Sequence, residues 1–160
     1  MDKEKLEEQI GECLGLERAA QKTVEELDSK GLLGEPGLKD RIRGMKSEAG
    51  GHEQKLQQLI GQVAGPEELN VQSIEEHAQE TEQKASEMMK TYLGENPDTL
   101  DALEFLSLAE GGEVIHYEVL SKLAGEVESK RFGTAVRSIL KEEKEHLQMC
   151  IRLAKQSAAA

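Results

Sequence analysis

The C-terminal part of the chain carries an amphipathic helical stripe that a carboxylate and an imidazole interrupt at its centre. Phe132, Val136, Ile139, Glu143, His146, Cys150 and Leu153 recur at alternating steps of three and four, so Glu143 and His146 fall where a packed helix should carry Leu. Burying a carboxylate costs several kcal/mol unless it is paired or bound to a cation. The nearest helical neighbour of Glu143 is a metal-competent imidazole. The pair is therefore either half of a metal site or a sign of misread register, and the rest of the chain has to decide.

Composition sets the surroundings of such a site. At 160 residues the chain is the size of one domain, and Phe105, Phe132, Tyr92 and Tyr117 are its only aromatics, so the core must be aliphatic. Abundant Glu, Lys, Gln, Leu and Ala with only three prolines favours an all-α protein. A net charge of -12 would repel a phosphate backbone, which argues against nucleic-acid binding. The N-terminus lacks an apolar signal core, and no run approaches the roughly 18 apolar residues of a membrane span, which predicts a soluble cytoplasmic protein.

Glycine and proline punctuate the chain into five helical segments within a single domain, residues 1–160. Helix A is expected from about Asp2 to Lys30 and helix B from about Gly37 to Ala64. A weaker connecting helix falls within about 66–95, where Ser73-Ile-Glu-Glu76 reads as a capping box. Helix C then starts at Pro97 with Asn96 as its N-cap and runs to about Gly125. Helix D follows the break at Gly125–Ser129 and continues to about Gln156.

The other long helices also break their apolar seams. Glu17 lies among Ile10, Cys13, Ala20 and Val24, while His52 follows Met45 and Ala49, with Glu48 one turn before it. On helix C, Glu110, Glu113 and Tyr117 share a face with Leu103, Leu106 and Leu120. Residues equidistant from the turn of an antiparallel hairpin lie side by side. The midpoint of Glu17 and Glu48 falls inside the turn at Gly31–Gly37, and that of Glu110 and Glu143 inside the break at Gly125–Ser129. Both hairpins thus hold their candidates roughly three to four turns from the connection. Glu113-Val-Ile-His116 is itself a Glu-x-x-His, so helix C offers two readings. Matched height favours Glu110, with Glu113 as a second carboxylate and His116 left open. Cys13 and Cys150 would lie roughly 14 Å apart along the bundle axis, too far for a disulfide.

One Glu on each of two helices and a Glu-x-x-His on each of two others resembles the ligand pattern of ferritin-like di-iron and di-manganese bundles. Lys-Glu-Glu143-Lys-Glu-His146-Leu is similar to the fourth-helix motif of that superfamily, and Glu110-x-x-Glu113 followed by Tyr117 resembles the third helix of rubrerythrin-type proteins. His116-Tyr117-Glu118 resembles a stress-associated five-helix branch. The resemblance implies an antiparallel four-helix bundle of two hairpins, with the additional helix in the long crossover between B and C. By that match Glu17 would be the carboxylate of the first helix, His52 the imidazole of the second, Glu110 the carboxylate of the third, and Glu143 with His146 the fourth-helix pair. Position on the seams adds Glu48 and Glu113 as further metal ligands and Tyr117 as a candidate catalytic residue. Two Fe ions, or Mn, would bind per chain and react with peroxide or dioxygen, with iron itself a possible substrate in stress or iron handling.

The chain departs from that pattern at helix B, where the position three before His52 is Ala49. Glu48, at four, still projects to the same side, and a π-bulge at Gly50-Gly51 would also restore the alignment. No Cys-x-x-Cys module is present, so electrons would come from a donor protein or from Fe(II). Homodimers or higher homo-oligomers are expected. The competing readings are a metal-free helical bundle with a stress or interaction role, and a subunit of an iron-storage cage.

Overall fold

Turn residues stop the chain where the sequence predicts, and the computed structural model, which covers residues 1–160, is all-helical. The five helices are α1 (Lys3–Ser29), α2 (Pro36–Val63), α3 (Val71–Leu93), α4 (Thr99–Ala124) and α5 (Lys130–Ala159). Gly31 and Gly34 take φ of 71° and 67° in the turn after α1, a conformation that costs a side-chain-bearing residue energy.

Two helix starts differ from expectation because a nearer side chain claims the orphan N–H groups. Asp98, not Asn96, caps α4: it accepts from Asp101 N while the Asp101 side chain accepts from Asp98 N, a reciprocal pair. Likewise Asn70 caps α3 by accepting from Ser73 N, three residues before the expected box. No π-bulge interrupts α2 at Gly50-Gly51; the helix is continuous α. No helix is long and apolar enough to cross a membrane.

Ion pairs give the direction of packing. Arg18 meets Glu53 at 2.9 Å, Lys46 meets Glu25 at 2.8 Å and Arg43 meets Asp28 at 2.7 Å, so α1 and α2 run antiparallel. The C-terminal end of α4 (Leu120, Ala124) packs with the N-terminal end of α5 (Phe132, Val136), which makes these two antiparallel as well. α3 lies parallel along α1, because Gly11 faces Ile74 and Gly15 faces Ala78.

That contact between α1 and α3 is backbone against backbone. A Cβ on Gly15 would stand 2.4 Å from the carbonyl oxygen of Ala78, and one on Gly11 2.5 Å from that of Ile74. Neither carbonyl can rotate away without breaking α3. Gly15→Ala is therefore expected to force the helices apart and cost about 1–3 kcal/mol, lowering Tm by several degrees in thermal unfolding. Gly44→Ala, where nothing lies within 4 Å, should instead raise Tm, since Ala is about 1 kcal/mol the better helix former.

The apolar interior is divided. One cluster gathers Leu6, Ile10, Leu56, Tyr117, Phe132 and Ile139; the other gathers Leu27, Ile42, Met45, Leu103, Leu106 and Leu153. Each fully buried aliphatic side chain contributes about 1.5–3 kcal/mol. Between the two clusters lies a layer of carboxylates and imidazoles. Cys13 belongs to the first cluster and Cys150 to the second, and both are free thiols.

Candidate metal centre

Four helices deliver the polar layer. Glu17 comes from α1, His52 from α2, Glu110 and Glu113 from α4, and Glu143 with His146 from α5, and all six are buried. Glu17, Glu113 and Glu143 are at most 2% exposed, which for an isolated carboxylate would be prohibitive. His52 Nδ1 stands 2.8 Å from Glu143 Oε1 and 2.8 Å from Glu17 Oε2. His146 Nδ1 lies 3.5 Å from Glu143 Oε2 and 3.8 Å from Glu110 Oε2. Two triads result, Glu17/His52/Glu143 and Glu110/Glu143/His146, each with donor atoms close enough to hold one cation. They share Glu143, whose two oxygens face the two imidazoles. The His52 and His146 rings lie 6.1 Å apart, so the two positions are neighbours.

The protein alone leaves this layer unsatisfied. Glu17 Oε1, Glu110 Oε2, Glu113 Oε1 and Glu143 Oε2 are buried without a hydrogen-bond partner, and all four belong to the cluster. Orphaned acceptors of this kind are rare in folded proteins, and here they converge on one place. Carboxylate oxygens with imidazole nitrogens form a donor set for divalent transition-metal ions. Tyr117, fully buried, donates to Glu17 Oε2 at 3.1 Å and so fixes the carboxylate of α1.

Electrostatics without a cation are strained in a consistent sense. Burial, followed by the negative charge of Glu143, pushes Glu17 well above the usual carboxylate range. Burial also raises Glu110, with Glu113 and Glu143 adding to it, and raises Glu113, with Glu143 and Glu17 adding to it. Burial would raise Glu143 too, but hydrogen bonds from His146 and His52 outweigh it and hold that carboxyl well below its ordinary value. Both imidazoles are raised: burial opposes their charge, and their carboxylate partners overcome it. Without a cation, Glu143 favours the ionised form, while burial and mutual repulsion push Glu17, Glu110 and Glu113 toward the protonated one.

Glu48 does not join either triad. Its side chain is 55% exposed and meets the outer nitrogen, Nε2, of His146. The reason is register: Arg18 pairs with Glu53, which sets His52, and not Glu48, level with Glu17. Equal counting from the turn misjudges this because the connection after α1 is not symmetric. Glu142, which helical period alone does not single out, has the matching role on the other helix, where it meets His52 Nε2 at 2.5 Å. The signal was present as a repeat: Glu48-Ala49-x-x-His52 on α2 matches Glu142-Glu143-x-x-His146 on α5. Each imidazole is thus capped by the glutamate of the opposite helix, four residues before that helix's own histidine. Ala49 occupies the position of a second shared carboxylate, and Glu113 supplies the fourth buried carboxylate from α4 instead. His116 lies outside the layer; its Nδ1 is 2.8 Å from Gly112 O and its Nε2 is 3.1 Å from Glu12.

Outer carboxylates of this kind accept Nε2–H and leave the Nδ1 lone pair directed inward, which orients the ring and raises its basicity. Glu48→Ala and Glu142→Ala are each expected to weaken metal binding about 10- to 100-fold while leaving helix content unchanged, measured by competitive titration of Mn(II) against a chelating dye. A groove of about 700 Å³ between α2 and α5, lined in part by His52, Lys55, Leu59, Arg131 and Glu142, opens at the outer edge of the layer beside His52.

Comparison of the chain with protein-family models, with curated proteins and with solved structures finds no match.

Proposed function

We propose that the chain is a ferritin-like di-metal carboxylate protein that holds two iron or manganese ions and acts on peroxide or dioxygen. The observation that carries this reading is the pair of donor triads sharing Glu143, with four orphaned carboxylate oxygens turned into one buried layer. Glu17 and His52 would hold one ion, Glu110 and His146 the other, and Glu143 would bridge them, with Glu113 as the remaining anionic donor. Four carboxylates balance two divalent cations, which removes the repulsion described above. Two such ions at neighbouring positions would supply electrons and a shared binding point for a small oxidant.

The chain's own part is positioning and exclusion. Tyr117 orients Glu17, Glu48 and Glu142 orient the imidazoles, and the aliphatic clusters above and below keep bulk water out. The groove beside His52 admits a molecule the size of peroxide or dioxygen. Reducing equivalents would come from Fe(II) as substrate or from a separate donor protein.

The test is anaerobic loading with Fe(II) followed by rapid mixing with peroxide or with air-saturated buffer. Oxidation of two iron equivalents per chain, faster than that of Fe(II) in buffer and lost in Glu143→Gln, is the expected result. Oxidation no faster than in buffer with either oxidant would reject the reading.

A further inference from the structure

α4 is buried on one face and apolar on the opposite one. Glu110, Glu113, Tyr117 and Leu120 point into the protein. On the other side Leu108, Ile115 and Val119 are 54%, 63% and 43% exposed. A surface helix normally alternates one apolar face with one polar face, and α4 does not. At about 100° per residue, Glu104, Leu108, Gly112, Ile115, Val119 and Lys122 fall in a single band along the outer face, on the side away from the ligands.

The band is palindromic in character. Its centre is Gly111-Gly112, where an added Cβ would meet nothing within 4 Å, so no contact within the chain requires glycine there. Glycine in mid-helix is unfavourable, and its usual compensation is close approach by another backbone. Leu108 and Ile115 stand at equal distances on either side of that centre. Further out, Glu104 and Lys122 carry opposite charges, and neither takes part in a salt bridge or side-chain hydrogen bond within the chain. Tyr92, 45% exposed, rests on Phe105 of α4 at 5.5 Å.

We infer that this face binds a second copy of the chain, with the two α4 helices crossing antiparallel about a twofold axis at Gly111-Gly112. A twofold interface must be complementary to itself. The antiparallel arrangement meets that condition: Leu108 packs on Ile115 of the second copy, the glycines let the helices approach, and Glu104 comes within a turn of Lys122 of the second copy. A parallel arrangement would place Glu104 against Glu104 and Lys122 against Lys122. The inference is independent of metal binding, but the same interface would brace the stretch of α4 that presents Glu110 and Glu113.

Sedimentation equilibrium of the full chain is expected to give twice the chain mass at micromolar concentration. Ile115→Glu should weaken association roughly a hundredfold, as loss of a central apolar anchor does, with unchanged circular dichroism and unchanged melting of the monomer. The double variant Leu108→Cys/Ile115→Cys should form covalent dimers under mild oxidation, and neither single variant should. Within one chain these two positions are two helical turns apart, too far for an internal disulfide. A monomeric parent, a dimer unaffected by Ile115→Glu, or cross-linking in the single variants would each overturn the assignment.

Discussion

Replacing Glu143 by Gln is expected to empty both metal positions at once, whereas Glu17→Ala or His146→Ala should weaken one position more than the other. Glu143 alone belongs to both donor triads, and its two oxygens face different imidazoles. At free metal one hundred times Kd, each bound ion stabilises the fold by about 2.7 kcal/mol, so the parent should gain about twice that and Glu143→Gln almost nothing. Without metal the same variant should itself melt below the parent, because it removes the carboxylate that accepts from the raised imidazoles of His52 and His146. Relief of Glu17, Glu110 and Glu113 from that charge offsets part of the loss. Melting curves of both proteins, with and without Mn(II), read this pattern. A merely structural Glu143 would lower the metal-free melting temperature and leave the metal-induced rise as large as in the parent.

The second large effect is a reversal of pH dependence on metal binding. Glu17, Glu110 and Glu113 hold protons in the folded protein that the unfolded chain gives up above its ordinary carboxylate value, so their contribution to stability falls as pH rises beyond about 4.3. The raised imidazoles of His52 and His146 contribute fully below about pH 6.5 and lose that contribution as pH rises through their folded values. Glu143 acts oppositely: its lowered value contributes above the ordinary carboxylate range and is lost only in strong acid. The metal-free protein should therefore be most stable near about pH 5 and melt several degrees lower near about pH 8. Cations must displace those protons, so metal affinity should rise steeply with pH over the same interval, and titration in weak buffer should release protons. A flat metal-free stability profile, or binding without proton release, would contradict the charge assignment.

Much of this arrangement was legible in the chain because burial and helical period act on the same residues. The steps of three and four around Glu143 and His146 place them on the buried face whatever the tertiary fold, and the same reasoning places Glu17, His52 and Glu110. Register across helices is less legible. Glu48 counts as level with Glu17 only if the turn is symmetric, and the Arg18–Glu53 pair shifts the match to His52. Glu142 was hidden for a different reason: an exposed glutamate among Glu143, Lys144 and Glu145 looks like solvated surface until His52 is seen beside it. Helix starts were displaced by a few residues where Asp98 and Asn70 compete with neighbouring capping candidates. The packing of α3 on α1 depends on Gly11 and Gly15, whose role appears only when Ile74 and Ala78 face them.

The most direct test of the account is the number of ions held by a folded chain. Equilibrium dialysis of the metal-free protein against Mn(II) or anaerobic Fe(II) near neutral pH, with bound metal counted by elemental analysis, should give two ions per chain in the parent and none in Glu143→Gln. A parent that binds no metal, or a Glu143→Gln variant that binds as much as the parent, would contradict the shared carboxylate centre.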